Sequence, residues 1–402
     1  MESLLFLLAF WGPPRLRSRD VLASLGLQLD WAVGVNIAVW LMVGLWIFNE
    51  FNVYALVHRR LPRLSAPVSA GLMLAAALLL SAVQSVSPGL TLYKASQVGL
   101  TVLFGYFWVL KFGAHDLVLR FVHSAFAVAI WLLLLGVFFP SSVWAGSRLM
   151  GGALGGAGSA ASLLLVGVLA GGTVVGPKTR RLALASGVVL LMLSQVRTGY
   201  VAVALGVMLA AAMGPRGSDS RKAFMVLGAV GPLVALTEAW RGVVAYLIRD
   251  TRSLSTLSDR LPLWQVLVQR VLIESPVIGL GFYASRSLAL AYNPGIGTAH
   301  SAYVEVLVGA GLLGLCSMGY LIATTASALV SGAVRRSLSI HLQDATIAAA
   351  LMVVCLVLAL TSEEMVTGGP PSMIFLAMPA IAADLRESAL RVGQNGVGSQ
   401  HE

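Results

Sequence analysis

Residues Gly297–Leu315 read GTAHSAYVEVLVGAGLLGL. A histidine stands at the lip of an apolar segment that runs over residues 300–325, directly after the glycine- and proline-broken stretch NPGIGTA. An apolar run near or above about 18 residues is long enough to cross a bilayer as a helix. Comparable segments recur at 31–57, 66–84, 95–111, 121–139, 158–176, 182–196, 198–213, 223–240, 343–361 and 370–385, with a shorter one at 3–14. The expected fold is therefore all-α: a single integral membrane domain over residues 1–402, polytopic, with 11 or 12 transmembrane helices.

Composition agrees. Of 402 residues, 58% are hydrophobic and 11% charged, with a mean hydropathy of +0.86. Soluble chains of this size carry about 25% charged residues. A membrane β-barrel would show short segments of alternating polarity, and these are absent from the sequence. Cys316 and Cys355 both fall within apolar spans and read as small buried hydrophobes, not as a disulfide or zinc framework. The six histidines lack paired ligand spacing, and no P-loop, dinucleotide fingerprint or EF-hand loop occurs. No cofactor, metal or nucleic-acid partner is expected.

The connectors HRRLPR (58–63), PKTRR (177–181), GPRGSDSRK (214–222) and AVRRS (333–337) are basic and alternate with weakly charged ones. The positive-inside bias puts them in the cytoplasm, together with the C-terminal residues 386–402, which read as a disordered tail. Counting from these anchors leaves residues 241–299 as a large external loop, along with the turns at Lys94, Arg148, Arg197 and TSEEMVTGGPP. The first thirty residues, with Arg15, Arg17 and Arg19, fit this topology badly.

The external loop holds Arg241, Arg249, Arg252, Arg260, Arg270 and Arg286 against Asp250, Asp259 and Glu274. Topology alone would keep arginines off this side, so an anionic partner is expected there. A solvated face touching lipid headgroups is the plainer reading for most of them. Arg197 differs: in LLMLSQVRTGYVAVALG it interrupts two apolar helices with almost no loop, which places a guanidinium at the membrane edge. Ionisable groups there are costly and mark sites by default, with snorkelling to headgroups as the alternative.

Arginine binds phosphate oxygens through a planar fork and stays charged at physiological pH. Histidine takes up a proton near neutrality and can activate a hydroxyl. Arginines gripping a lipid-linked pyrophosphate, with His300 as the base, would suit transfer to a hydroxyl. Trp264 lies one helical turn after Arg260 and can stack on a sugar or anchor the interface. Tyr303 shares a face with His300. Glu363 and Glu364 occupy an external turn, and Arg148 follows a serine-rich one.

The stretch from Leu254 to Leu315, with SRLMGG (147–152), SQVRTGY (194–200) and LTSEEM (360–365), resembles the O-antigen ligase and polymerase superfamily, closest to its exopolysaccharide-polymerase branch. The shared pattern is an arginine followed by tryptophan, a Pro-x-x-Gly-x-Gly turn, and a histidine opening an apolar helix. Asp259, Leu261, Ser301 and Ala310 depart from it, replacing glycine, threonine, asparagine and a polar or acidic residue respectively. The resemblance implies a metal-independent, inverting, multispanning glycosyltransferase of the GT-C type. Its donor would be an undecaprenyl-pyrophosphate-linked glycan, and its site would face the periplasm or outer side of a bacterial inner membrane. On this resemblance Arg197 and Arg260 would bind pyrophosphate and His300 would be catalytic, supported by Arg148, Trp264, Tyr303, Glu363 and Glu364. The acceptor would be a lipid-linked repeat unit in a polymerase, or lipid A core or a protein in a ligase. A polysaccharide or lipid transporter is the reading from another class, but such proteins carry repeated halves and midplane ionisable groups.

Overall fold

A computed structural model describes residues 2–11, 31–145, 148–149, 156–171, 176–214, 218–226, 260–283, 285–292, 298–334, 340–362, 366 and 370–398. Its helices are α1 (Glu2–Trp11), α2 (Trp31–His58), α3 (Ala66–Leu80), α4 (Pro88–Phe138), α5 (Pro140–Val143), α6 (Ala157–Gly171), α7 (Pro177–Ser194) and α8 (Arg197–Met213). They continue with α9 (Arg260–Glu274), α10 (Ser285–Tyr292), α11 (Ala302–Val334), α12 (Ile340–Ala359) and α13 (Pro370–Gly398). One two-stranded hairpin, β1 (Trp144–Ala145) with β2 (Arg148–Leu149), is antiparallel, pairing Trp144 with Leu149.

The chain is an all-α polytopic membrane protein. Among the described residues five helices are long and apolar enough to cross a membrane: 34–58, 66–84, 88–138, 302–331 and 342–359. Helices α6 and α8 are apolar but shorter. The 51-residue α4 contains two of the expected segments, because Gly113 leaves helical geometry (φ 84°, ψ 163°) and bends the helix between them. Most of the expected segment at 223–240, and residues 241–259 of the external loop, lie outside the described residues. The described remainder of that loop is largely helical, as α9 and α10. The final helix continues to Gly398, through most of the stretch expected as a disordered tail.

Helix α6 and the first half of α13 are buried along almost their whole length and form the centre of the bundle. Hydrophobicity alone does not select partners within lipid, so close backbone packing through small residues matters more. A methyl group added at Gly187 would fall 2.9 Å from Leu165, one at Gly206 2.9 Å from Val166, and one at Gly105 2.7 Å from Ala377 Cβ. Ser162 donates to the carbonyls of Gly158 (2.7 Å) and Gly199 (3.2 Å), stitching α6 to α8.

Helix α11 is broken about two and a half turns after its start, where Gly311 adopts φ 63°, ψ −156°. A break frees backbone groups that must find partners when water is excluded. The Pro276–Gly281 segment supplies them. Leu280 N donates to Val308 O (2.8 Å) and Gly281 N to Gly309 O (3.0 Å). In return Leu312 N donates to Pro276 O (2.9 Å) and Leu313 N to Val277 O (3.0 Å). The two segments lie backbone to backbone, and a methyl at Gly311 would fall 2.5 Å from the Val277 carbonyl. This interlock is the physical content of the Pro-x-x-Gly-x-Gly turn. Gly279→Ala and Gly311→Ala should each cost about 2 kcal/mol or more, combining left-handed backbone strain with overlap. Gly34→Ala, in open space within α2, should be neutral or mildly stabilising. Thermal melts of the purified protein check both; equal melting temperatures for all three would contradict the interlock.

Phe282 bonded to Ser81 and Thr91, Thr198 to Thr361, and Ala302 to Ser362 put the α3–α4 turn, the start of α8, the start of α11 and residues 361–362 after α12 at one end of the bundle. The opposite end carries the described basic stretches 58–63 and 177–181 and its own polar contacts. Lys111 pairs with Glu2 and Glu50 (2.7 Å each), His115 meets buried Asp344 (2.8 Å), and Asp384 accepts the Ala114 N–H (3.2 Å) where α4 restarts after its bend.

Candidate functional site

Arg197 is the first residue of α8 because α7 stops abruptly one residue pair earlier. Gln195 takes a left-handed conformation (φ 53°), and its N–H closes on Leu191 O (3.2 Å). The two helices thus form a tight hairpin with a half-buried arginine at its tip. Arg148, in β2, lies against the same tip and donates from Nη2 to Gln195 O (3.3 Å).

Arg260 opens α9. This helix buries Leu263, Leu267 and Val271, spaced four apart, in a small cluster with Leu280, Ala289, Ala299 and Val308. Burying each such side chain contributes about 1.5–3 kcal/mol, enough to seat the helix on α11. Seated there, Arg260 donates from Nη1 to Thr361 O (3.0 Å), and Trp264, a turn later, donates its indole N–H to Ala299 O (2.6 Å). The tryptophan therefore holds the turn that carries His300, a role not read from its spacing alone.

His300 has φ 52°, in the left-handed region that a non-glycine residue enters at a cost. The chain on both sides is pinned. Trp264 holds Ala299, Thr298 Oγ1 accepts the His300 N–H (3.3 Å), Ser301 Oγ donates to Ala359 O (3.4 Å), and Ala302 N donates to Ser362 O (3.1 Å). Strain that persists under such overdetermination is commonly found at working sites. The ring is half-buried.

Three of the sequence-selected residues are thus tied, directly or through a chain neighbour, to residues 359–362. Arg260 reaches Thr361 directly, Arg197 comes in beside Thr198, whose hydroxyl shares a 2.6 Å hydrogen bond with that of Thr361, and His300 is flanked by residues bonded to Ala359 and Ser362. Arg148 joins through Gln195. Tyr303 is set apart: its hydroxyl donates to Leu356 O (3.2 Å), tying α11 to α12. Glu363 and Glu364, which follow this turn in sequence, lie outside the described residues.

Sequence reasoning missed two residues. Thr361 is the hub, and its only signal was its place in LTSEEM. Glu305, a lone carboxylate in an apolar helix, is 1% exposed and accepts the Tyr283 N–H (3.1 Å). A single acid within such a run is itself a warning of a site. Among the described residues no group of three or more histidines, cysteines or acids could hold a metal ion.

The fold and the cluster define a multispanning helical membrane protein that gathers guanidinium groups and an imidazole at one end. Residues 182–319 match the family model described as O-antigen ligase, which supports the O-antigen ligase and polymerase superfamily. The match contains Arg197, Arg260, Trp264, His300 and Tyr303, and leaves Arg148 and Thr361 outside. No curated protein matches the chain. The family supports a glycosyltransferase-like ligase or polymerase of cell-surface polysaccharide, with lipid-linked glycans as its substrate class.

Proposed function

We propose that the chain is a cell-surface polysaccharide polymerase of the bacterial inner membrane, with its site on the periplasmic or outer face. It transfers glycan from an undecaprenyl-pyrophosphate-linked donor to a sugar hydroxyl of a lipid-linked repeat unit, with inversion. The observation that carries this reading is that Arg260, the neighbour of Arg197 and the neighbours of the strained His300 all bond to residues 359–362. The guanidinium forks hold the departing pyrophosphate, whose charge grows as the glycosidic C–O bond breaks. His300, neutral, removes the acceptor hydroxyl's proton as the new C–O bond forms. Transfer to lipid A core or a protein would use the same residues and differ only in acceptor. A transporter reading is weaker, since these groups gather at one end rather than at the middle of the span.

Purified protein given lipid-pyrophosphate-linked repeat units should yield a ladder of lengthening glycans with no second acceptor added. A single conjugate formed only when lipid A core is supplied would favour the ligase instead. Because the arginines provide the positive charge that a divalent ion supplies in other transferases, activity should be unchanged in excess EDTA. Loss restored specifically by magnesium or manganese would overturn that part of the reading.

A further inference from the structure

Among the described residues, helix α9 buries one face on α11 and α10, through Leu263, Leu267 and Val271. Gln265 and Gln269 lie on the opposite side, both exposed. Val266 and Ile273 stand about two turns apart on a third flank, between those two faces, and Val277 continues it just past the helix end. This flank is apolar and bare: Val266 is exposed, Ile273 is 75% exposed and Val277 60%. The charges that border it, Arg270 and Glu274, pair with each other (2.8 Å).

Hydrogen bonds fix the height of the flank against the membrane. Pro276 O and Val277 O accept from Leu312 N and Leu313 N of the spanning helix α11, and Leu280 and Gly281 donate to Val308 and Gly309 of the same helix. Phe282 is bonded to Ser81 and Thr91, where the span at 66–84 ends and that at 88–138 begins. The segment that follows α9 is therefore level with the ends of two spans and alongside a third. Beyond the Gly311 break, residues 312–331 measure about 30 Å as a helix, the thickness of the hydrocarbon core. The break, and Val277 with it, falls at the boundary between hydrocarbon and headgroups. Exposed apolar surface continues across that boundary. Leu312, Leu313 and Tyr320 are exposed on α11, as lipid-facing residues of a span are, and Val277 is bonded to Leu313. A helix with a polar back and an apolar flank at this depth lies in the plane of the interface.

We infer that α9 is seated in the leaflet at this end of the bundle, with Val266, Ile273 and Val277 among the lipid chains and Gln265 and Gln269 toward water. Residues 260–282 are then an interfacial element, not a loop held clear of the membrane. The helix begins at Arg260, so a lipid-linked donor would reach that guanidinium along α9 without leaving the leaflet. This consequence rests on the function proposed above; the seating does not.

The test uses the full chain in phosphatidylcholine nanodiscs, in a Cys316→Ala background, buried Cys355 being out of reach of the label. Single cysteines introduced by Ile273→Cys, Val277→Cys, Gln265→Cys and Gln269→Cys are spin-labelled, with Leu312→Cys as the lipid reference. Power saturation compares oxygen, which concentrates in lipid, with a nickel chelate, which stays in water. Positions 273 and 277 should resemble 312, with oxygen access exceeding nickel access severalfold, and 265 and 269 should show the reverse. Should Val277→Cys disturb the interlock, judged by its melting temperature, position 273 decides. Nickel access at 273 equal to that at 265 and 269 would put the flank in water and overturn the inference. Shielding of 273 from both reagents would overturn it too, since protein, such as a second copy of the chain, would then cover the flank. The saturation readout needs no substrate, so failure of the proposed function leaves it standing. Arrival along α9 is read separately. Ile273→Glu should raise the KM for an undecaprenyl-linked donor about tenfold at unchanged kcat, and an unchanged KM would refute that route.

Discussion

Replacing His300 should abolish glycan transfer while leaving lipid binding in place. Removal of a general base typically lowers turnover by about 10²–10⁴-fold. The geometry decides which variant is informative. At φ 52° an alanine carries left-handed strain, so His300→Ala is expected to lose about 1 kcal/mol of stability as well as its chemistry. Asparagine tolerates this backbone region better, and His300→Asn should keep the wild-type melting temperature while still losing turnover. Because the neutral imidazole is the working form, wild-type turnover should fall on acidification as the ring takes up a proton. The His300→Asn residue of activity should lack that dependence. Near-normal transfer by either variant would leave His300 with a purely structural part, holding the turn between Ala299 and Ser301.

The second large effect is expected at Arg260. One N–H of its guanidinium donates to Thr361 O, which fixes the orientation of the fork. Lysine keeps the charge but loses both the fork and that orientation. Arg260→Lys should therefore lower kcat/KM by on the order of 100-fold, close to the loss expected for alanine, as when one donor to developing charge is removed. Arg197→Lys should behave alike. A lysine variant with wild-type turnover and donor affinity would show that only diffuse positive charge is needed. Thr361→Val offers a finer probe. It leaves the carbonyl that accepts Arg260 but cuts the hydroxyl bond to Thr198, so it should disturb Arg197 more than Arg260.

Hydropathy made much of this fold legible, because lipid demands long apolar helices and little else. The starts and ends expected for α2, α8 and α12 fall within a few residues of those observed. What hydropathy does not carry is backbone pairing between distant segments. The break at Gly311 inside α11 is defined by Pro276–Gly281, and nothing local to GAGLLGL announces it. Gly113 differs: Lys111, His115, Asp116 and Arg120 already separate two apolar segments there, and the Asp384 carboxylate accepts the Ala114 N–H where the helix restarts. Within the site, Arg197 and His300 were visible because each breaks an apolar run. Arg260 was picked out by its resemblance to a motif, whereas Thr361 was not, since a threonine in a turn is unremarkable until its partners are known. Helix α9 lies within the stretch expected as an external loop, although Leu263, Leu267 and Val271 have helical spacing.

At this cluster the glycan is expected to leave its lipid pyrophosphate. The most direct measurement incubates purified protein, in EDTA, with radiolabelled undecaprenyl-pyrophosphate-linked repeat unit and follows released undecaprenyl pyrophosphate against new glycosidic bonds. The prediction is one undecaprenyl pyrophosphate released per bond formed by wild type, and neither product from His300→Asn at unchanged substrate binding. Intact lipid-linked glycan throughout, or equal release by the His300→Asn protein, would contradict it.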